Sequence, residues 1–112
     1  MIAVIFEVEP REGMLEPYLD IAAELKPRLE KIDGFVSVER FASLTTPGKY
    51  VSLSFWRDEA AVAEWRRQAH HRQAQHMGRT EIFAGYRLRV AHVLRDYGMH
   101  ERTQAPADAF AV

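Results

Sequence analysis

Three of the five histidines in this chain, His70, His71 and His76, fall on one short segment behind Trp65. An ordinary imidazole titrates near pH ~6.5 and accepts a proton at neutral pH without special tuning. A large aromatic followed by imidazoles, beside a sheet, is how an apolar pocket with a proton acceptor at its mouth is built. A core tryptophan followed by solvated histidines and arginines produces the same string with no chemistry at all. Imidazoles also bind zinc, copper or nickel. Adjacent histidines on a helix, however, diverge by about 100° and do not converge on one ion. No Asp or Glu stands at a supporting spacing near them, so no metal site is expected.

The elements that position these residues are legible in the periodicity. Residues 2–9 alternate, with Ile2, Val4, Phe6 and Val8 on one face and Ala3, Ile5, Glu7 and Glu9 on the other, which predicts a half-buried strand. Leu15, Tyr18, Leu19, Ala22, Leu25, Leu29 and Ile32 recur at three and four, predicting a helix over 15–32. Pro17 falls harmlessly in its first turn, Pro27 predicts an irregular end, and Asp33-Gly34 stops it. A hairpin follows, with strands at 35–44 and 50–56 around the turn Thr46-Pro47-Gly48-Lys49. In its second strand Val51, Leu53 and Phe55 oppose Tyr50, Ser52, Ser54 and Trp56. Phe55-Trp56-Arg57-Asp58 ends that strand, and Asp58 caps a second helix. Trp65 comes nine residues after Trp56. The apolar stripe Ala61, Val62, Trp65, Ala69 then lapses, which predicts a break near 68–70 and a short helix over 71–77 ended by Gly78. A last strand is expected over 86–95, with Tyr86, Leu88, Val90 and His92 on one face.

The order β-α-β-β-α-β defines an α+β, ferredoxin-like fold with a four-stranded antiparallel sheet. Two helices cover one sheet face. The other keeps large apolar groups, so a homodimer through the open sheet face is expected. The domain is expected over residues 1–97, with 98–112, which contains Pro106, as a C-terminal arm or tail.

Composition removes several classes of function. With 112 residues, 47% hydrophobic and 28% charged, this is one ordinary globular domain. No cysteine is present, which excludes disulfides, thiolate chemistry and cysteine-ligated zinc. A formal net charge of -1 gives no pull toward nucleic acid or an anionic membrane. Arg66, Arg67, Arg72 and Arg79 are offset by Glu59, Glu64 and Glu81 and read as a solvated helix face. No apolar run approaches the ~20 residues of a membrane span, and Met1-Ile2-Ala3-Val4-Ile5-Phe6-Glu7 lacks a basic leader region. A cytoplasmic protein is expected.

Gly34-Phe35, Phe55-Trp56-Arg57-Asp58, Trp65, and the segment His71-Arg72, Gln75, Gly78-Arg79, in this order on this strand pattern, resemble the antibiotic biosynthesis monooxygenase domain. The resemblance covers nearly all of residues 1–97 and implies a dimeric α+β barrel. It further implies a cofactor-independent monooxygenase: an electron-rich aromatic substrate, anthrone- or quinol-like, loses a proton and its carbanion passes an electron to O2. The protein then supplies walls, a proton acceptor and donors that steady the anion. Phe6, Phe55, Trp65 and Phe83 are the candidate walls. His70, His71 and His76 are the candidate bases, with His71 matching the histidine six residues after the motif tryptophan. Arg40, Tyr50 and Tyr86 are the candidate donors. His92 is read as a core or interface residue.

Haem degradation, found in the same family, requires an Asn on the first strand and a haem-ligating His ten residues after the motif tryptophan. Phe6 and Gln75 stand there instead, with His76 one residue displaced. Haem is therefore the lesser alternative and no cofactor is the primary expectation. A non-catalytic dimeric module that holds a small hydrophobic metabolite is the other alternative. It needs the same walls and no base.

Overall fold

The computed structural model describes residues 1–76 and 79–109, with side chains at 1–69 and 81–109. Strand β1 (Ile2–Pro10) is followed by helix α1 (Leu15–Leu29), strands β2 (Phe35–Ala42) and β3 (Tyr50–Trp56), helix α2 (Glu59–His76), the single turn α3 (Arg79–Ile82) and strand β4 (Phe83–His92). The strands form one sheet in the order β2-β3-β1-β4, with every neighbouring pair antiparallel. This is the ferredoxin-like arrangement.

Register decides which residues share a face. Val4 pairs with Ser54 and Val90, and Phe6 pairs with Ser52 and Leu88. Across the hairpin, Val38 pairs with Ser54 and Arg40 with Ser52. These residues all stand on the face that the helices cover. Ile2, Val4 and Trp56 there pack against Leu25 and Leu29 of α1 and Ala61 and Val62 of α2. A second cluster joins Val8 to Tyr18, Ile82 and Phe83 at the other end of the sheet. The uncovered face carries Ala3, Ile5 and Glu7 of β1 beside Val51, Leu53 and Phe55 of β3. Glu7 is held there by Arg89 at 2.8 Å and Lys49 at 3.5 Å, which lowers its carboxyl below the usual range, the Arg89 hydrogen bond first. The edge strand β4 also leaves Tyr86, Leu88 and Val90 exposed on the helix side, beyond the reach of the helices.

Several boundaries differ from the sequence reading, among them the ends of β2, at Ala42 rather than 44, and of β4, at His92 rather than 95. Helix α1 stops at Leu29 rather than at residue 32. The Glu30 N–H still bonds to Lys26 O, and beyond it the chain tightens into three-residue bonds from Lys31 to Arg28 and from Ile32 to Leu29. Helix α2 runs unbroken through 68–70 to His76, and the following turn is at 79–82 rather than 71–77. The lapse in the apolar stripe was a change of surroundings, because Arg, Gln and Ala all keep good helix propensity in a polar stretch. Strand β4 begins at Phe83, three residues earlier than expected, because Pro10 still pairs with Phe83 across an irregular step at Glu9/Pro10.

The junction of the two halves is built by local chemistry. Asp58 caps α2, its Oδ1 accepting from the Ala61 N–H at 3.0 Å. That bond, and then Arg57, holds the Asp58 carboxyl below its usual range. Arg57 donates to both oxygens of Asp33 at 3.0 and 3.1 Å, tying the end of α1 to the start of α2. Gly34 has φ +96°, and a Cβ there would meet Ala61 Cβ at 2.9 Å. Gly34→Ala is therefore expected to cost about 2 kcal/mol through the left-handed backbone and the clash together. Urea unfolding monitored by circular dichroism measures it, and a cost near zero would contradict the reading of this turn.

After β4, residues 93–109 hold no helix or strand but are organised locally. The Val93 N–H bonds to Met1 O at 3.0 Å, the Gln104 side chain accepts from the Asp96 N–H at 2.7 Å, and Arg102 lies 5.3 Å over the Tyr97 ring. Among the described residues, no helix is long and apolar enough to cross a membrane.

Candidate active site

A chamber lies between the sheet and α1. Its floor is Val4 and Phe6 of β1, Val38 and Arg40 of β2, and Ser52 and Ser54 of β3. The alternation of β1 and β3, in the register that pairs them, puts their side chains on one side. Its roof is mainly α1, which contributes Tyr18, Ile21, Ala22, Leu25 and Leu29 at helical spacing. Trp65 and Ala69 of α2 close one side, and Ile82 and Phe83 the opposite end.

The aromatic end is a network of edge contacts. Phe83 stands 5.8 Å from Phe6, 5.7 Å from Tyr18 and 5.9 Å from Tyr86, and Phe6 stands 5.6 Å from Tyr86. Edge-to-face packing fixes the ring orientations more firmly than burial alone. At the other end Trp65 tilts against Trp56 at 6.1 Å. Trp56 is fully buried, and its indole N–H donates to Ser54 Oγ at 2.9 Å.

Among the described residues, Arg40 is the one cation in this wall. It is half-buried, and its Nε is shut away from solvent with no hydrogen-bond partner among them. An apolar chamber with one unsatisfied cationic donor beside two serines can hold a greasy molecule by its body and steady negative charge at one point. The free space is about 70 Å³. That is room for a few water molecules and well short of the ~300 Å³ of a typical ligand pocket. A ring-bearing molecule therefore enters only if a wall moves.

Of the residues expected at the site, the structure brings Phe6, Arg40, Trp65 and Phe83 together in the chamber. Tyr50 packs at its Val8 end, and Tyr86 touches Phe6 from outside the lining. Phe55 is corrected: it pairs with Ala3 on the uncovered face, whereas Phe6 pairs with Ser52, so the two rings are on opposite sides of the sheet. The side chains of His70, His71 and His76, and those of Arg72, Gln75 and Arg79, lie outside the described residues, as does Gly78. Among the described residues no group of three metal-ligating side chains is present. Tyr18, Ser52, Ser54 and the α1 roof were not singled out from the sequence. Ser52 and Ser54 carried a signal nonetheless, since they are polar residues on the strand face that also holds Trp56.

Haem does not fit what is described. Phe6 occupies the β1 position where a haem-degrading site requires Asn, and a phenyl ring packed on Phe83 and Tyr86 cannot hydrogen-bond an oxygen ligand.

This fold, with an apolar chamber roofed by α1 and edged by a helix-borne tryptophan, defines a small ferredoxin-like α+β domain. Residues 1–77 match the antibiotic biosynthesis monooxygenase family, and the chain belongs to that family. The chain is 47% identical over 93 residues to jasmonate monooxygenase ABM of Pyricularia oryzae, a match covering 83% of this chain and 43% of that protein. The chain spans about half the length of the curated relatives it matches, at 43% and 60% of two of them. Among solved structures it is similar to Rv0793 from Mycobacterium tuberculosis, with a TM-score of 0.73 at 20% identity over 87% of this chain and 98% of that one. It is similar too to a MhuD mutant with two manganese protoporphyrin IX molecules bound per active site, with a TM-score of 0.67 at 19% identity over 88% and 99%. At such identities these structures establish the fold alone.

Proposed function

We propose that this chain is the catalytic unit of a monooxygenase that needs neither metal nor flavin and works in the chamber beneath the sheet. The observation that carries the reading is the chamber itself, apolar on most sides, with the Arg40 Nε unsatisfied in its floor. Family membership supports oxygen chemistry, and the 47% identity to a jasmonate monooxygenase supports a small organic substrate. The substrate class that suits such a site is a flat, electron-rich aromatic, either an anthrone with an acidic C–H or a quinol, whose acidic proton is on oxygen.

For the anthrone the chemistry then closes without an outside reductant. A base removes one proton of an activated methylene, and the carbanion gives one electron to O2. The radical pair combines to a hydroperoxide, which takes a proton and loses water to leave a ketone. In sum, one methylene compound and one O2 give one ketone and one water. The protein lowers the barrier by excluding water, placing a base and stabilising the anion.

The base is one of the α2 histidines. On an unbroken helix of ~3.6 residues per turn, His76 follows Trp65 by close to three full turns, which favours it over His71 and His70. Trp65 is half-buried at the side of the chamber, and its displacement would open a way in. Each chamber belongs to one half of a homodimer, joined through the open face at Ile5, Leu53 and Phe55. A monomer mass by light scattering would remove that interface.

The test is oxygen uptake by the purified, chelator-treated chain with an anthrone, a quinol and jasmonate. Wild type is expected to consume O2 with at least one of them. His76→Ala is expected to lose about 100-fold, the ordinary worth of a positioned base, and His71→Ala far less. Saturable binding with no uptake across the panel would favour the non-catalytic binding module instead.

A further inference from the structure

Every other arginine whose ion pair is described has its carboxylate. Arg57 holds Asp33 and Asp58, Arg67 holds Glu64, and Arg89 holds Glu7. Arg40 differs. It stands on β2 facing the chamber, and among the described residues no Asp or Glu lines that chamber with it. Its neighbour Glu39 pairs with Leu53 and so points to the opposite face. The Arg40 Nε is buried with no acceptor in reach among the described residues. A guanidinium cannot shed its charge at any working pH, so among the described residues this buried Nε–H has no acceptor.

The surroundings of Arg40 are donors as well. Ser52 is its cross-strand partner, and Ser54 lies one pair further along β3. Ser54 Oγ already accepts from the Trp56 indole, which leaves its hydroxyl proton to donate. A guanidinium flanked by two hydroxyls, with no carboxylate among the described lining residues, is complementary to an anion with a greasy body. The planar fork of a guanidinium matches the two oxygens of a carboxylate better than the single oxygen of an alkoxide or phenolate.

We infer that the molecule bound in the chamber is an apolar acid, its carboxylate seated on Arg40 and its body lying along Phe6 and the α1 roof toward Phe83. This deepens the proposed function by adding a carboxylate to the substrate's aromatic body, and it rests on the reading that the chamber is the reaction site. Arg40 acts by binding: it sets which molecules enter and in which direction they lie, with the carboxylate at the β2 side and the reacting carbon toward the aromatic end.

The experiment is calorimetric titration of the full chain with phenylalkanoates of increasing chain length and with their methyl esters. Wild type is expected to bind at least one acid about tenfold more tightly than its ester. In Arg40→Met that preference falls to within about twofold, and Arg40→Lys keeps part of it. Because removal of an unpaired cation relieves the fold, Arg40→Met is also expected to melt no lower than wild type. Equal binding of acid and ester by wild type would overturn the assignment, as would a preference that survives in Arg40→Met. Failure of every acid to bind below about 10 mM would do the same. A melting temperature about 5 °C lower in Arg40→Met would show that Arg40 serves the fold, and would overturn it too. The two readings fail separately. Acid binding without oxygen uptake removes the monooxygenase and leaves the acid site; uptake of a neutral substrate that is indifferent to Arg40→Met does the reverse.

Discussion

Trp56→Ala is expected to lose about 4 kcal/mol of stability, most of what a domain of this size possesses. Trp56 is 0% exposed and ends β3 at the point where the sheet meets both helices. It makes an edge contact with Phe35 at 5.3 Å and a tilted one with Trp65 at 6.1 Å, and both vanish with the ring. The indole N–H bond to Ser54 goes with it, leaving a buried hydroxyl without its donor. The cavity left behind adjoins the chamber, so neighbouring side chains cannot close it without surrendering chamber walls. Trp65→Ala removes the same atoms from a half-buried site and is expected to cost less than half as much. Urea unfolding of both variants, followed by far-ultraviolet circular dichroism, makes the comparison. Equal losses would mean that the two tryptophans share one structural role and that Trp65 is not a free wall.

Ala22→Leu is expected to abolish turnover, by about 100-fold or more, while the fold survives. Ala22 sits on the roof of the chamber, buried, one helical turn from Tyr18 and Leu25. A leucine there extends into the free space of about 70 Å³ and fills most of it. Filling an existing void avoids the 1–3 kcal/mol that overpacking costs in a close-packed core, so stability is expected to stay within about 1 kcal/mol of wild type. A variant that is folded yet inactive separates the chamber from every other candidate location. Full oxygen uptake in a well-folded Ala22→Leu protein would place the reaction elsewhere.

The sequence exposed the sheet more completely than the site. Alternation sorted Val4 with Phe6 and Ser52 with Ser54 and Trp56 because the strand period is two, but only the register between β1 and β3 puts the two sets on one face. Asp58 was recognisable as a cap because an Asp between a strand end and a helical stripe has few other uses. The helix ends were harder. Hydrophobic spacing carried α1 to Ile32, but backbone bonding is what ends a helix, and after Leu29 the bonds tighten to three-residue steps. In α2 the lapse after Ala69 looked like a break because periodicity records what a helix packs against and not whether it continues. Phe55 was grouped with Phe6 on ring chemistry, against the strand alternation that separates them. The α1 roof went unrecognised as a site wall, because Tyr18, Ala22 and Leu25 have the spacing of any core-facing helix. Arg40 could be named as a donor, but only packing could reveal that its buried Nε has no partner among the described residues.

The most direct test of the chamber as the working site is the structure of the chain with an apolar carboxylic acid bound. The expected density lies between Arg40 and Phe83, under the α1 roof, with Trp65 displaced to admit it. Density on the uncovered face near Leu53, with the chamber still closed around its small void, would contradict the account.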